Sequence, residues 1–356
     1  MKVAIIGTVG VPANYGGFET LVEQLVRHNN NENLQYAVYC SSQSYSDERW
    51  VYHGAKTEYV GLNANGIQSI PYDIISLIKA SRRSDVILVL GVSGCAFLPV
   101  FRLFSKRKLI INIDGLEHKR DKWGKWVRRF LKYSEKQAVK YGDIIVTDNK
   151  GITDYVTEEY GKSSELIAYG GDHVLMEVSE EEQAETLNEY GLTKDDYSLG
   201  ICRIEPENNV HTILEAYRDH SDKKLVFIGN WQASEYGRNL LEKYKSCPNI
   251  TLLSAVYDLK KLYALRKNCH IYLHGHSAGG TNPSLVEAMH FGKPIIVFDC
   301  IYNRETTENK AKYFSSSEDL SSKLDNVSEA IGADMLKIAQ RRYTWATIAR
   351  QYESLY

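Results

Sequence analysis

Short runs of aliphatic and β-branched residues alternate with amphipathic stretches almost from end to end of the chain, and the alternation runs through twice. Strands of that kind, each followed by a helix-length segment, assemble into parallel sheets with helices on both faces. In the first series the expected strands are 2–7, 35–40, 57–61, 86–90, 109–113 and 143–147, with helices over 18–28, 70–81, 125–141 and 151–160. In the second series they are 198–204, 224–229, 250–253, 270–274 and 294–298, with helices over 210–220, 236–245, 259–266 and 284–291. The Glu-rich stretch 172–194 between the two series suits a connector or a domain-entry helix. The expected organisation is a first domain 1–171, a second domain 172–331, and a single helical tail 332–356 that packs back on the first domain. The fold class is therefore α/β, as two doubly wound domains. Ligands of such sheets bind outside the carboxyl ends of the strands, which makes the interdomain cleft the expected site.

Composition narrows the function. A net charge of -2 over 356 residues excludes a globally basic nucleic-acid binder, and no nucleic-acid partner is expected. Cys40, Cys95, Cys202, Cys247, Cys269 and Cys300 lie far apart with no CxxC pair, which argues against a disulfide framework or a zinc site and for a cytoplasmic setting. The start MKVAIIGTVG reads as a buried strand, without the features of a signal peptide. The uncharged stretch 86–101 is shorter than the roughly 20 residues a spanning helix needs, and Gly91, Ser93, Gly94 and Pro99 interrupt it.

Four segments carry chemistry. The loop GTVGVPANYGGFET follows the first strand and opens a helix, where glycines and free amides favour a phosphate. Its glycines do not match the GxGxxG fingerprint, which disfavours a nicotinamide enzyme. The segment HGHSAGGTNPSLVEAM lies between a strand and a helix. There Thr281 or Asn282 is a candidate cap, Pro283 fits the first helical position, and Glu287 is placed to accept hydrogen bonds from sugar hydroxyls or to stand as a solvated helix residue. His274 and His276 have ligand spacing, but no further ligand set accompanies them. Asp114, in NIDGLEHKRDKWG, ends a hydrophobic strand, a position where a carboxylate faces the ligand crevice. Finally, residues 102–140 hold thirteen Lys or Arg against four Asp or Glu, and KWGKWVRRFLKY interleaves them with aromatics. A basic amphipathic helix of that kind suits an anionic membrane surface through 119–133, while a solvated helix face remains the ordinary alternative.

The stretch SAGGTNPSLVEAMHFGKPIIV resembles the donor-binding signature of the family 4 retaining glycosyltransferases, which have the GT-B fold of two Rossmann-like domains. GICRIEPENNVHTILEAY, AYGGDH, the GGFE loop and YTWATIARQYESLY resemble further family segments in the right order. Together VPANYGGFET, NIDGLEHKRDKWGK, RIEPENN and HSAGGTNPSLVEAM are similar to bacterial rhamnosyltransferases. The resemblance implies transfer of L-rhamnose from dTDP-L-rhamnose to a lipid-diphosphate-linked saccharide of a cell wall, capsule or O-antigen, at the inner face of the plasma membrane. It implies Arg203 on the donor diphosphate and Asp114 at the acceptor hydroxyl, with Glu117 and His118 as runners-up. It further implies Glu287 as a catalytic residue beside Asp114 and Arg203, and substrate contacts from Gly16, Gly17, Glu117, His118, Asn208, His276, Gly279, Gly280, Thr281, Asn282 and Leu285.

Two positions depart from the family pattern: Gly279 stands where the first glutamate of E-x7-E would fall, and Asn208 replaces the usual lysine. No D-x-D occurs, so neither metal nor cofactor is expected, and the departing diphosphate would be stabilised by protein cations and helix ends. A sugar-nucleotide epimerase of the same fold, or a non-catalytic nucleotide-sugar-binding subunit, are the alternatives.

Overall fold

The computed structural model describes every residue except 15, 46, 114, 120–122 and 221. The chain divides into two units, Met1–Tyr169 with Trp345–Tyr356, and Gly170–Thr344.

The first unit is built on strands β1 (Lys2–Ile6), β2 (Gln35–Ser41), β3 (Val51–Tyr52), β4 (Ala55–Val60), β5 (Val86–Leu90), β6 (Lys108–Ile113), β7 (Ile144–Thr147) and β8 (Glu165–Leu166). They form one sheet in the order β3-β4-β2-β1-β5-β6-β7-β8, parallel throughout except for the β3–β4 hairpin. Ala4 of β1 sits between Ala37 of β2 and Ile87 of β5. All five residues of β5 are buried, as a strand covered on both faces requires.

The second unit holds β9 (Ser198–Ile201), β10 (Leu225–Ile228), β11 (Ile250–Leu253), β12 (Ile271–His274), β13 (Ile295–Phe298) and β14 (Lys312–Phe314) in the parallel order β11-β10-β9-β12-β13-β14. Ile213, Leu214, Phe227 and Leu273 lie in its core. In both units the chain enters at a central strand, builds out to one edge, then returns to build the other side. The order reverses between β1 and β5 and between β9 and β12, and ligands of such sheets bind outside the carboxyl ends of the strands at these switch points.

The structure differs from the sequence expectation in several places, among them the short helices Ile301–Thr306 and Ser317–Lys323, which no expected element anticipated. β3, β8 and β14 have only two or three residues each and no apolar run, so no periodicity announces them. The stretch after β5 winds into a 3-10 turn and the helix Leu98–Phe104, and no described helix is long and apolar enough to cross a membrane. The tail is two helices, Glu329–Arg342 in the second unit and Trp345–Glu353 in the first. The break has a physical cause: the Tyr343 carbonyl accepts from the Gly171 amide (2.8 Å) and lies 3.0 Å from His290 Nε2, so helical bonding does not continue past it. Beyond the break, Tyr352 Oη accepts from Asn112 Nδ2 on β6 at 2.6 Å, and Trp345, Ile348 and Tyr352 are buried.

Many of the tyrosines fill the two cores. Nine of them, including Tyr36, Tyr72, Tyr217 and Tyr272, are among the largest fully buried side chains. Tyr72 also ties elements together, its hydroxyl meeting the carbonyls of Thr8 and Tyr39, each at 2.9 Å.

One buried acid stands out. Asp73, in the helix Ser69–Ser81, accepts from Ser93 Oγ at 2.9 Å through one oxygen while the other has no partner. Burial pushes its carboxyl up to about 7, against opposing hydrogen bonds from Ser93 and Gly94. The folded state therefore keeps a proton that the unfolded chain releases. No cost is felt below about pH 4, stability falls as pH rises toward 7, and it is lowest above that. Asp73→Asn is expected to remove this dependence, gaining on the wild type between about pH 5 and pH 8 in urea unfolding. Parallel stability profiles for the two proteins would refute the assignment.

Candidate functional site

In the second unit, two loops leaving adjacent strands are fastened to each other. After β9 the chain runs through Arg203 into the 3-10 turn Pro206–Asn208, and Asn209, in the left-handed region at φ 47, starts the helix Val210–Arg218. After β12 it runs through Gly275, His276 and Ser277. Asn209 Nδ2 donates to the Gly275 carbonyl at 2.8 Å, and the Ser277 amide and hydroxyl both donate to the Glu207 carbonyl at 3.0 and 2.8 Å. Buried Asn208 donates to the Arg203 carbonyl at 2.6 Å and meets His276 Nδ1 with Oδ1 at 2.7 Å. The approach is close enough that a Cβ on Gly275 would stand 2.1 Å from the Asn208 carbonyl oxygen.

Against that frame the expected ligand contacts sort themselves. Arg203 is exposed, and its guanidinium makes no hydrogen bond or ion pair with a described residue. Asn208 and His276 are buried within the fastening between the loops, a structural use that the sequence expectation of substrate contacts did not include. Leu285 is fully buried and its amide donates to the Asn282 carbonyl at 3.1 Å, so its expected substrate contact is corrected to a place in the core. Asn282 caps the helix Pro283–Met289, its Oδ1 accepting from the Ser284 amide at 3.0 Å, and Pro283 takes the first helical position. Gly280 and Thr281 are buried just before the cap. Gly279 has φ 97, a backbone conformation that disfavours the glutamate of the family pattern, so the departure at this position has a conformational counterpart.

Glu287 is not a solvated helix residue. Its carboxylate pairs with Arg266 Nη2, and the other oxygen lies 3.5 Å from His173 Nε2. Arg266 is itself buried, and burial lowers the His173 pKa below its usual value. His173 reaches Glu287 because the AYGGDH segment crosses the Pro283–Met289 helix at Gly171, where a Cβ would stand 2.7 Å from the Val286 carbonyl. No spacing in the sequence pointed to Arg266 or to His173 as partners. Fully buried His274 is held well below 6.5 by burial and by His276 beside it, and no group of three or more His, Cys, Asp or Glu among the described residues is placed to hold a metal.

In the first unit the glycine loop after β1 is anchored by acids from the helix it opens, Gly17–Arg27. Glu19 accepts from Thr8 Oγ1 at 3.0 Å and from the Val9 amide at 2.9 Å, and Glu23 accepts from the Ala13 amide at 3.0 Å. Those carboxylates occupy donors that the phosphate-loop expectation left open. Gly16 has φ 125, and a Cβ there would stand 2.1 Å from Glu19 Oε2, so Gly16 and Gly17 let the helix start fold onto its own acid.

The loop after β6 holds the acceptor-side candidates. Asp114 lies outside the described residues. Glu117 accepts from Trp123 Nε1 at 3.0 Å. His118 Nδ1 lies 3.0 Å from Glu135 Oε2, and Glu135, on the helix Lys125–Tyr141, is 1% exposed. Glu135 Oε1 accepts from Tyr155 Oη at 2.7 Å and Tyr160 Oη at 2.6 Å. Burial works to raise the Glu135 pKa, but the bonds from His118, Tyr160 and Tyr155 outweigh it and hold the carboxyl below its usual value.

Two doubly wound parallel sheets, each opening on a central strand and carrying its polar loops at the strand ends, make the GT-B fold. Solved structures share it over nearly their whole length. Sucrose-phosphate synthase from Thermosynechococcus elongatus has a TM-score of 0.80 at 14% identity, covering 100% of this chain and 98% of that one. Anabaena HepE in complex with UDP has 0.77 at 14%, covering 100% and 99%. A glycosyltransferase from Rickettsia africae has 0.75 at 11%, covering 99% and 97%. No curated protein matches by sequence. Residues 182–331 match the family profile Glycosyl transferases group 1, and residues 1–172 match Domain of unknown function (DUF1972). The second domain thus matches the Glycosyl transferases group 1 profile, and the chain as a whole shares the GT-B fold.

Because the two loops of the second unit meet where only a hydrogen fits, Gly275→Ala is expected to lower the melting temperature of the protein and weaken nucleotide-sugar binding. Gly124→Ala, where an added Cβ meets nothing within 4 Å, should leave both unchanged. Calorimetry and titration of the two variants check this.

Proposed function

We propose that the protein is a retaining glycosyltransferase that moves L-rhamnose from dTDP-L-rhamnose to a lipid-diphosphate-linked saccharide. The observation that carries the reading is Arg203, an exposed guanidinium with no partner among the described residues, leaving the central strand β9 at its switch point inside a glycosyl transferases group 1 domain. A cation there offers charge-assisted hydrogen bonds to the diphosphate of a sugar nucleotide. They strengthen as the sugar–phosphate bond breaks and negative charge collects on the leaving group. Transfer then proceeds by front-face displacement through an oxocarbenium-like state, with the acceptor received by the loop after β6. The choice of rhamnose and of the thymidine nucleotide rests on the sequence resemblance. Anabaena HepE is a structure in complex with UDP and with UDP-glucose, so uridine nucleotides are the natural comparison.

The same reading places the protein at an anionic membrane surface through the basic aromatic segment 119–133. Along the helix Lys125–Tyr141 the exposed residues Trp126, Arg129, Tyr133, Lys136 and Lys140 follow one another at helical spacing. Trp126 is 81% exposed with the Arg129 guanidinium 5.6 Å from its ring centre.

A thermal-shift panel of dTDP-rhamnose, UDP-glucose, UDP and GDP sugars tests the donor, because only a ligand of the native state raises the melting temperature. dTDP-rhamnose is expected to give the largest shift, and Arg203→Ala to lose it together with about 10²–10³ in turnover at unchanged stability. Near-normal turnover in that variant overturns the role of Arg203, and isomerised donor in the absence of acceptor would identify an epimerase instead. For the membrane, reversing Arg129 and Lys136 to Glu should weaken sedimentation with phosphatidylglycerol vesicles at least about tenfold, at about 1 kcal/mol per basic residue near such a surface. Unchanged sedimentation removes the membrane from the proposal.

A further inference from the structure

The cluster around Glu135 has an arrangement that packing alone does not call for. A nearly fully buried carboxylate receives two tyrosine hydroxyls on one oxygen, while the other oxygen faces His118 Nδ1 at 3.0 Å. An ionised carboxylate only accepts, so a carboxylate oxygen 3.0 Å from Nδ1 favours a proton over a lone pair on that nitrogen, although the ring is turned off the line of a formed hydrogen bond. That leaves His118 Nε2 with a lone pair. Tyr155 Oη lies 3.5 Å from it, and the Tyr155 proton is already donated to Glu135 at 2.7 Å. Tyr155 Oη also meets Lys132 Nζ, and the ammonium groups of Lys119 and Lys132 lie 4.6 and 4.8 Å from the centre of the Tyr155 ring. The tyrosine is thereby held in place without a hydrogen to offer the imidazole. The His118 side chain is 12% exposed, on the short turn Glu117–Lys119 that follows β6.

We propose that Glu135 is a positioning residue: it fixes His118 in the tautomer protonated at Nδ1 and so presents the Nε2 lone pair to a hydroxyl of the acceptor sugar. The hydroxyl donates to Nε2, and this orients its oxygen for attack. The identity of that hydroxyl rests on the glycosyltransferase reading, whereas the tautomer does not. Glu135 comes from the helix whose opposite side carries Trp126 and Arg129, which is why its distance in sequence from His118 hides the pairing.

The test uses the full chain and two variants. In Glu135→Gln an amide nitrogen can replace the Oε2 acceptor, and it donates to Nδ1, moving the ring proton to Nε2. Tyr160→Phe removes a hydrogen bond from the same carboxylate without touching the imidazole. Long-range proton–nitrogen correlation spectra at alkaline pH, with the His118 signals assigned by their loss in His118→Ala, are expected to show Nδ1–H in the wild type and in Tyr160→Phe, and Nε2–H in Glu135→Gln. A wild type already protonated at Nε2, or a tautomer unchanged in Glu135→Gln, overturns the proposal whatever the protein's activity. In transfer assays Glu135→Gln should lower kcat about tenfold or more, as misplacing a reacting group does, with the donor KM unchanged. Adding His118→Ala should cost no more than the worse single variant. Equal losses in Glu135→Gln and Tyr160→Phe would reduce the cluster to a structural one. Absence of transfer by the wild type, with the tautomers as expected, would remove the sugar acceptor and leave the dyad.

Discussion

The second unit turns on a contact that only glycine permits. β9 and β12 are neighbours at the switch point, so the chains leaving them run side by side, and at Gly275 the separation leaves no room for a Cβ. Once the backbones are that close, Asn208, Asn209, His276 and Ser277 can bridge them, and Arg203 emerges from a loop that is already braced. The lysine of the family pattern would have to place a charge where Asn208 joins the two loops with both ends of a neutral amide. Asn208 therefore braces the loop that carries Arg203.

Much of this was legible beforehand. The strands β5 and β11 and the helix Lys125–Tyr141 coincide with their expected limits because an unbroken apolar run or a strongly amphipathic period leaves little choice. The cap at Asn282 and the proline after it were legible for the same reason, since local backbone chemistry dictates them. What stayed hidden was set by tertiary contact. Arg266 reaches Glu287 from another helix, His173 from a loop more than a hundred residues away, and Glu135 reaches His118 from the far end of a basic helix. None of these acids or bases has a local signature, and Glu287 alone reads as readily as a solvated residue. Leu285 misled in the other direction: it lies in the motif, yet with Val286 it is fully buried on the core side of its helix.

The two glycine-rich loops look alike as sequence and differ as electrostatics. In the second unit the loop after β12 carries no acid of its own before Glu287, whose charge is matched by buried Arg266. In the first unit Glu19 and Glu23 sit under the loop and take its amides. A phosphate approaching the first loop would meet fixed negative charge, and one approaching Arg203 would meet an unmatched positive one. Glycine content alone does not distinguish the two, because it reports backbone freedom and says nothing of which groups fill the space it opens.

The return of the chain to the first unit after Tyr343 has a consequence for how the protein is made. Asn112, near the carboxyl end of β6, is buried, and its amide nitrogen donates to the hydroxyl of Tyr352. On the ribosome the eight strands of the first sheet are all synthesised before residue 170, yet the acceptor for the Asn112 amide and the buried side chains of Trp345 and Ile348 arrive more than 170 residues later. The domain begun first is therefore finished last. Throughout the intervening translation its sheet carries an incomplete flank, which is closed only when the second domain has been synthesised.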